Sequence, residues 1–159
     1  MHSATARPQR PTAEQLATWR AFIEMSERLR STLAGRLQDE TGLSSGDYAV
    51  LLALDEAVDR RMRSSALAEK VGWERSRLSH HLGRMERRGL VERAECATDS
   101  RGAEVAATPA GLGAFRRASV PHLRDVRSLF VDALTPEQLD AVRDITAALH
   151  AQLDRSPSA

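Results

Sequence analysis

The stretch from Ser64 to Gly89 leaves little freedom in how it can fold. A short apolar run, Ala66-Leu67-Ala68-Glu69-Lys70-Val71, follows a cap at Ser64 or Ser65 and stops at Gly72. A second run, Arg75 to Arg88, is closed by Gly89, which supplies the left-handed backbone that ends a helix, with Leu90 set to touch Met85. Two short helices joined by the turn Gly72-Trp73-Glu74 form a helix-turn-helix. At about 100° per residue, Leu78, Leu82 and Met85 share one face of the second helix, which must be the core side. The opposite face carries Ser76, Arg77, His80, Gly83 and Arg84, with Ser79 at its edge and Arg75 at its start. This face is polar and basic, and Gly83 at its middle permits close approach.

Charge is segregated in the same place. Ten basic and four acidic residues fall between Arg60 and Arg93, a net +6, which leaves −5 for the rest of a chain whose total is +1. A polyanion-binding surface within an otherwise acidic protein produces this pattern. Lys70 is the one lysine among 23 basic residues, and arginine pairs bidentately with phosphate and guanine. Aromatic residues make up only 4%, which leaves no stacking platform for single strands. The helix therefore suits the major groove of duplex DNA. Arg77 or Arg84 can meet guanine O6 and N7, while Arg75, Ser76, Ser79 and His80 reach base edges or phosphates. An ordinary solvated helix face has a similar look, and helix-turn-helix shapes also occur in proteins that never touch DNA.

The residues that follow favour the groove. Leu90 to Cys96 and Gly102 to Ala107 are short enough for strands, and they flank a tip at residues 97–102. A β-hairpin, or wing, is expected directly after the recognition helix. Arg101 at its tip can enter a narrow minor groove, and Asp99 can hold that guanidinium in a bidentate pair.

Helices flank this lobe on both sides. Thr12 and Gln15 form a capping box ahead of a long stripe (Leu16, Trp19, Phe22, Ile23, Leu29, Leu33, Leu37) that ends near Glu40. Ser44 and Asp47 cap a second helix, running to about Ala57, whose apolar residues on most sides make it the expected buried centre. Thr108-Pro109 opens another helix, which Pro121 should kink, and Thr135 to Gln138 caps the last. End helices of roughly 25 residues, about 38 Å long, are extended for a monomer of this size. Their stripes predict interleaving with a second copy in a twofold dimer, with a monomeric four- or five-helix bundle as the alternative. The expected fold class is mainly α (α+β): a winged helix-turn-helix lobe with a small β-wing, plus long N- and C-terminal helices forming a dimer interface.

These residues resemble the MarR family (multiple antibiotic resistance regulators). The resemblance is carried by SALAEKVGWERSRLSHHLGRMERRGLVER followed by DSRGAEVAATPAG, with the Asp-x-Arg tip at Asp99 and Arg101 and the Thr-x-x-Gly helix opening at Thr108 to Gly111. The capped helix at TPEQL is also family-like, so the likeness spans roughly Thr12 to Leu153. It implies a homodimeric winged-helix repressor. Residues 11–155 would then form a single domain, with dimerisation helices 11–40 and 109–154 around a lobe at 43–107. Residues 1–10 and 156–159 are expected to be disordered tails. The resemblance further implies a small, often aromatic, ligand between the dimer helices and the DNA-binding lobe. Trp19, Ile23, Met25, Tyr48 and Leu52 come from the helices that would line it, and the alternative is that they are core. Such a ligand must prefer one spacing of the two recognition helices, because equal affinity for both states shifts nothing.

Other functions find less support. Cys96 is the only cysteine, which excludes an internal disulfide. The family's peroxide-sensing branch uses a cysteine in the first helix, where this chain has none; Cys96 lies instead on the wing, near Arg93 and Arg101, and an inert thiol is the simpler reading. The five histidines show no metal-ligand spacing, His80 and His81 diverging by about 100° on a helix, so neither metal nor cofactor is expected. Tyr48 to Leu54, the longest uncharged apolar run, is far too short to cross a bilayer, and the amino terminus has no apolar signal core. A cytoplasmic protein without a membrane partner is expected. One rival is a winged-helix module that binds an acidic protein. The other is an enzyme, for which the sequence offers no Gly-rich phosphate loop, no H-E-x-x-H and no paired nucleophile and base.

Overall fold

Side-chain caps set most of the helix starts. In the computed structural model, which describes residues 10–95 and 103–155, the Thr12 hydroxyl accepts the Gln15 N–H at 3.2 Å while Gln15 Oε1 accepts the Thr12 N–H at 2.9 Å. Ser44 with Asp47 (3.1 and 3.0 Å) and Thr135 with Gln138 (3.3 and 2.9 Å) repeat the device. A cap of this kind contributes about 1 kcal/mol. These caps open α1 (Ala13–Thr41), α2 (Ser45–Asp55) and α6 (Pro136–Arg155). Between them lie β1 (Arg61–Arg63), α3 (Ser64–Val71), α4 (Arg75–Arg87), β2 (Val91–Glu95), β3 (Ala103–Ala107) and α5 (Pro109–Val126). The expected wing residues Cys96, Asp99 and Arg101 and most of both expected tails lie outside the described residues.

Two details differ from expectation. The chain enters α3 straight from a strand, so Arg63 occupies the cap position without a side-chain bond and Ser64 is already helical. That strand, β1, escapes sequence patterns because Arg-Met-Arg is short and charged. It pairs antiparallel with β3, giving a sheet of order β1-β3-β2, and Arg61 reaches Glu104 at 3.4 Å. Helix α5 runs on through Pro121 to Val126, and a π turn follows at Arg127–Val131.

The core forms around α2. Val50, Leu51 and Leu54 are fully buried, packed with Leu67 of α3, Leu78, Leu82 and Met85 of α4, Val91 and Val105 of the wing strands, and Phe115 of α5. Both glycine stops are left-handed, Gly72 at φ 68° and Gly89 at φ 69°. Thr108 ties α5 to the end of α4: its hydroxyl donates to the Gly89 carbonyl at 2.6 Å and accepts the Gly111 N–H at 2.9 Å. A Cβ at Gly111 would collide with the Leu90 carbonyl, which explains the small residue three positions after Thr108.

The end helices are bound differently. Arg36 to Asp125 (3.2 Å) and Arg124 to Glu40 (2.9 Å) join α1 to α5. Yet Leu37 is the only buried residue of α1, and α6 has none. Trp19, Phe22 and Ile23 of α1, Val120 and Leu123 of α5, and Ile145, Leu149 and Leu153 of α6 remain exposed.

Candidate nucleic-acid interface

Helix α4 has the two faces that its periodicity demands. Leu78, Leu82 and Met85 are buried, while Arg75, Ser76, Arg77, Ser79, His80, Arg84 and Arg87 are exposed. The strand β2 is fastened to α4 by Arg93, whose Nε and Nη2 donate to Glu86 Oε2 at 3.0 and 2.6 Å. The Arg93 guanidinium holds the Glu86 carboxyl below its ordinary range. Ser64, Ser65, Arg75, Ser79 and Arg93 line a cleft between the start of α3, α4 and the wing. Hydroxyls and guanidinium groups gathered this way are suited to phosphate oxygens.

One edge of the face is organised by groups that periodicity does not single out. The Arg77 guanidinium lies 4.5 Å from the centre of the Trp73 ring, a cation–π contact. Trp73 in turn meets the His81 ring edge-on at 5.1 Å. His81 is 8% exposed, with Nδ1 2.8 Å from Arg84 Nη2 and Nε2 3.0 Å from Asp47 Oδ1, though the latter pair is not well aligned for a hydrogen bond. Asp47 also accepts from Arg88 Nη1 at 2.6 Å, and Arg88 Nη2 donates to the Gly42 carbonyl at 2.9 Å. Burial alone would raise the Asp47 pKa, but His81, Arg88 and the Ser44 N–H together hold the carboxyl well below the usual carboxylate range. Gly46 lets α2 approach: a Cβ there would sit 2.8 Å from Trp73 and 2.9 Å from His81.

The exposed arginines thus fall into two groups. Arg77 and Arg84 lean toward the α2 side, where Trp73 and His81 hold them. Arg87 belongs with the open middle of the face, since a Cβ on Gly83 would lie 3.8 Å from its Nη1. Its place in the last turn of α4 also suits the negative end of the helix dipole.

The candidate ligand residues do not converge within one chain. Tyr48 packs on the core, its hydroxyl 3.2 Å from Ser119 Oγ and its ring 5.1 Å from Phe115 and 4.6 Å from His122. His122 Nδ1 is buried and has no hydrogen-bond partner among the described residues. Trp19 borders a hollow with Pro11, Gln15 and Leu16, and Met25 another with Arg28, Leu29, Thr32 and Leu129. Ile23 and Leu52 are exposed. Among the described residues no cluster of three or more His, Cys, Asp or Glu is placed to hold a metal, and no helix is long and apolar enough to cross a membrane.

Known proteins share this arrangement. The model of the MarR family matches residues 41–102. The structure of AbsC, a MarR family transcriptional regulator from Streptomyces coelicolor, is 34% identical, covers 94% of this chain and 100% of its own, and superposes with a TM-score of 0.86. Sco3205, a MarR family transcriptional regulator from the same organism solved in complex with DNA, is 35% identical over 94% of this chain and 93% of its own, with a TM-score of 0.88. The PcaV transcriptional regulator of that organism, solved with its natural ligand, shares the fold at 24% identity, covering 92% of this chain and 97% of its own with a TM-score of 0.67. No curated protein matches the chain.

Proposed function

The chain belongs to the MarR family of transcriptional regulators, and we propose that it acts in the cytoplasm as a homodimeric repressor of a pseudo-palindromic operator. The observation that carries this reading is the exposed basic face of α4, set over buried Leu78, Leu82 and Met85 and fastened to a wing. Arg77 and Arg84 read bases or fix phosphates, with Arg75, Ser76, Ser79 and His80 assisting. Arg101, directed by Asp99, enters the minor groove. The exposed apolar stripes of α1, α5 and α6 support the dimer, because a second copy removes them from water. In this division residues 11–40 and 109–154 dimerise and 43–107 bind DNA, each lobe meeting one half-site about one helical turn from the other.

Release by a small aromatic ligand completes the reading. PcaV was solved with its natural ligand. Here the Tyr48 hydroxyl, Ser119 and His122 Nδ1, which has no partner among the described residues, offer polar contacts beside Phe115. A second copy would close the apolar wall contributed by Trp19, Ile23, Met25 and Leu52.

Selection of bound duplexes from a random pool, followed by a footprint, tests the proposal. Twofold-symmetric sites with half-sites one turn apart are expected, together with weaker, salt-sensitive binding to random duplex. Failure to bind any duplex at low ionic strength would refute it.

A further inference from the structure

Arg84, on the exposed face of the recognition helix, does not hang free in solvent. Its Nη2 lies 2.8 Å from Nδ1 of His81. A guanidinium is only a donor, so Nδ1 must accept, which places the ring proton on Nε2, toward Asp47. The His81 ring is confined by the edge of Trp73, by Asp47 Oδ1 at 3.0 Å and by the backbone of Gly46, where a methyl group would approach it to 2.9 Å. Asp47 is itself held by Arg88, and Arg88 by the Gly42 carbonyl. A strut thus runs from the end of α1 through the buried carboxylate and imidazole to an arginine on the exposed face, hydrogen-bonded at each step but the close Asp47–His81 contact.

Resting on the DNA-binding reading above, we propose that His81 is a positioning residue for base recognition: its Nδ1 fixes the direction of the Arg84 guanidinium and thereby sets sequence selectivity more than overall affinity. The bond uses one of five N–H donors and leaves the other side of the fork for guanine. An Arg84 side chain released from His81 keeps its charge and its attraction for phosphates. It loses the fixed orientation on which a bidentate contact depends. Sequence discrimination therefore falls while non-specific binding persists.

Two substitutions separate the roles of the ring nitrogens. His81→Asn keeps an acceptor near the Nδ1 position and gives up the atom beside Asp47; His81→Gln does the reverse. Each is made in the full-length chain and again with Arg84→Ala. The readout is the ratio of affinities for a duplex selected from the random pool and for a random-sequence duplex of equal length. His81→Gln is expected to lower that ratio about tenfold, as Arg84→Ala does, and to lower it no further when Arg84 is already alanine. His81→Asn should stay within about threefold of the unaltered protein. Undiminished selectivity in a folded His81→Gln protein, or additive losses with Arg84→Ala, would overturn the proposal.

A second measurement needs neither DNA nor a change at His81. Nitrogen-15 resonances of the imidazole should report an unprotonated Nδ1 whose shift moves in the Arg84→Ala protein. A proton on Nδ1, or no response to that substitution, overturns the proposal even if the position 81 variants fail to fold. If the unaltered protein selects no duplex, the DNA-binding reading fails, and the imidazole signal still decides whether His81 holds Arg84.

Discussion

The lobe built on α2 and the long helices at the chain ends are made of similar residues and finish in opposite environments. In the lobe, Leu51, Leu54, Leu67, Leu78, Leu82 and Met85 are all but inaccessible to water. In α1 and α6, equally apolar side chains stay open, with Trp19 59% and Leu153 69% exposed. The lobe closes on itself because two helices, a turn and a sheet surround α2 on several sides. A single long helix pairs along one stripe only, and α5 covers part of the stripe on α1 while much of the rest stays exposed among the described residues. The difference teaches that stability resides in the lobe and that the proposed assembly would draw on the end helices, and it can be challenged at each end.

The largest effect is expected in the lobe. Leu54→Ala should cost about 3 kcal/mol of unfolding free energy in urea titrations, independent of protein concentration. A loss below about 1 kcal/mol would mean that the lobe is less tightly packed than its burial implies.

Next comes the buried ion cluster. Asp47→Asn should cost about 2 kcal/mol, less than for a fully buried pair because Arg88 is partly exposed. The Asp47 carboxyl titrates lower in the folded chain than in the unfolded one. The stability it contributes is therefore complete above the unfolded value and lost as pH falls below about 4. Thermal melts of the unaltered protein should show that acid-side decline, and the Asn variant should show it less steeply; parallel curves would exclude Asp47 as its source.

For the end helices, Leu149→Ala should weaken self-association by about 1–2 kcal/mol and make the melting temperature more concentration-dependent, without touching the lobe's core. An unaltered dimer constant by sedimentation would assign the α6 stripe to some other partner. The smallest effect belongs to the wing tip. Arg101→Ala should reduce the salt dependence of DNA binding by about one unit of slope, and an unchanged slope would remove Arg101 from the interface.

What the sequence made legible was local. The capping boxes at Thr12, Ser44 and Thr135, the stops at Gly72 and Gly89, and the inward set Leu78, Leu82 and Met85 each depend on neighbours within about one helical turn. The strand β1 was not legible, because three residues acquire a strand's identity only from β3, some forty positions away. Neither was the strut. Asp47 and Arg88 are 41 positions apart, and nothing local names either as the other's partner. His81 left one usable signal: it follows Leu78 by three and precedes Leu82 by one, so it faces inward and a buried imidazole needs partners.

The central claim is that two copies present α4 and the wing to one duplex. The mass of the complex formed on a duplex selected from the random pool tests it most directly. Two chains per duplex, with a footprint symmetric about its centre, is the expected result. One chain per duplex, or no complex at low ionic strength, would contradict it.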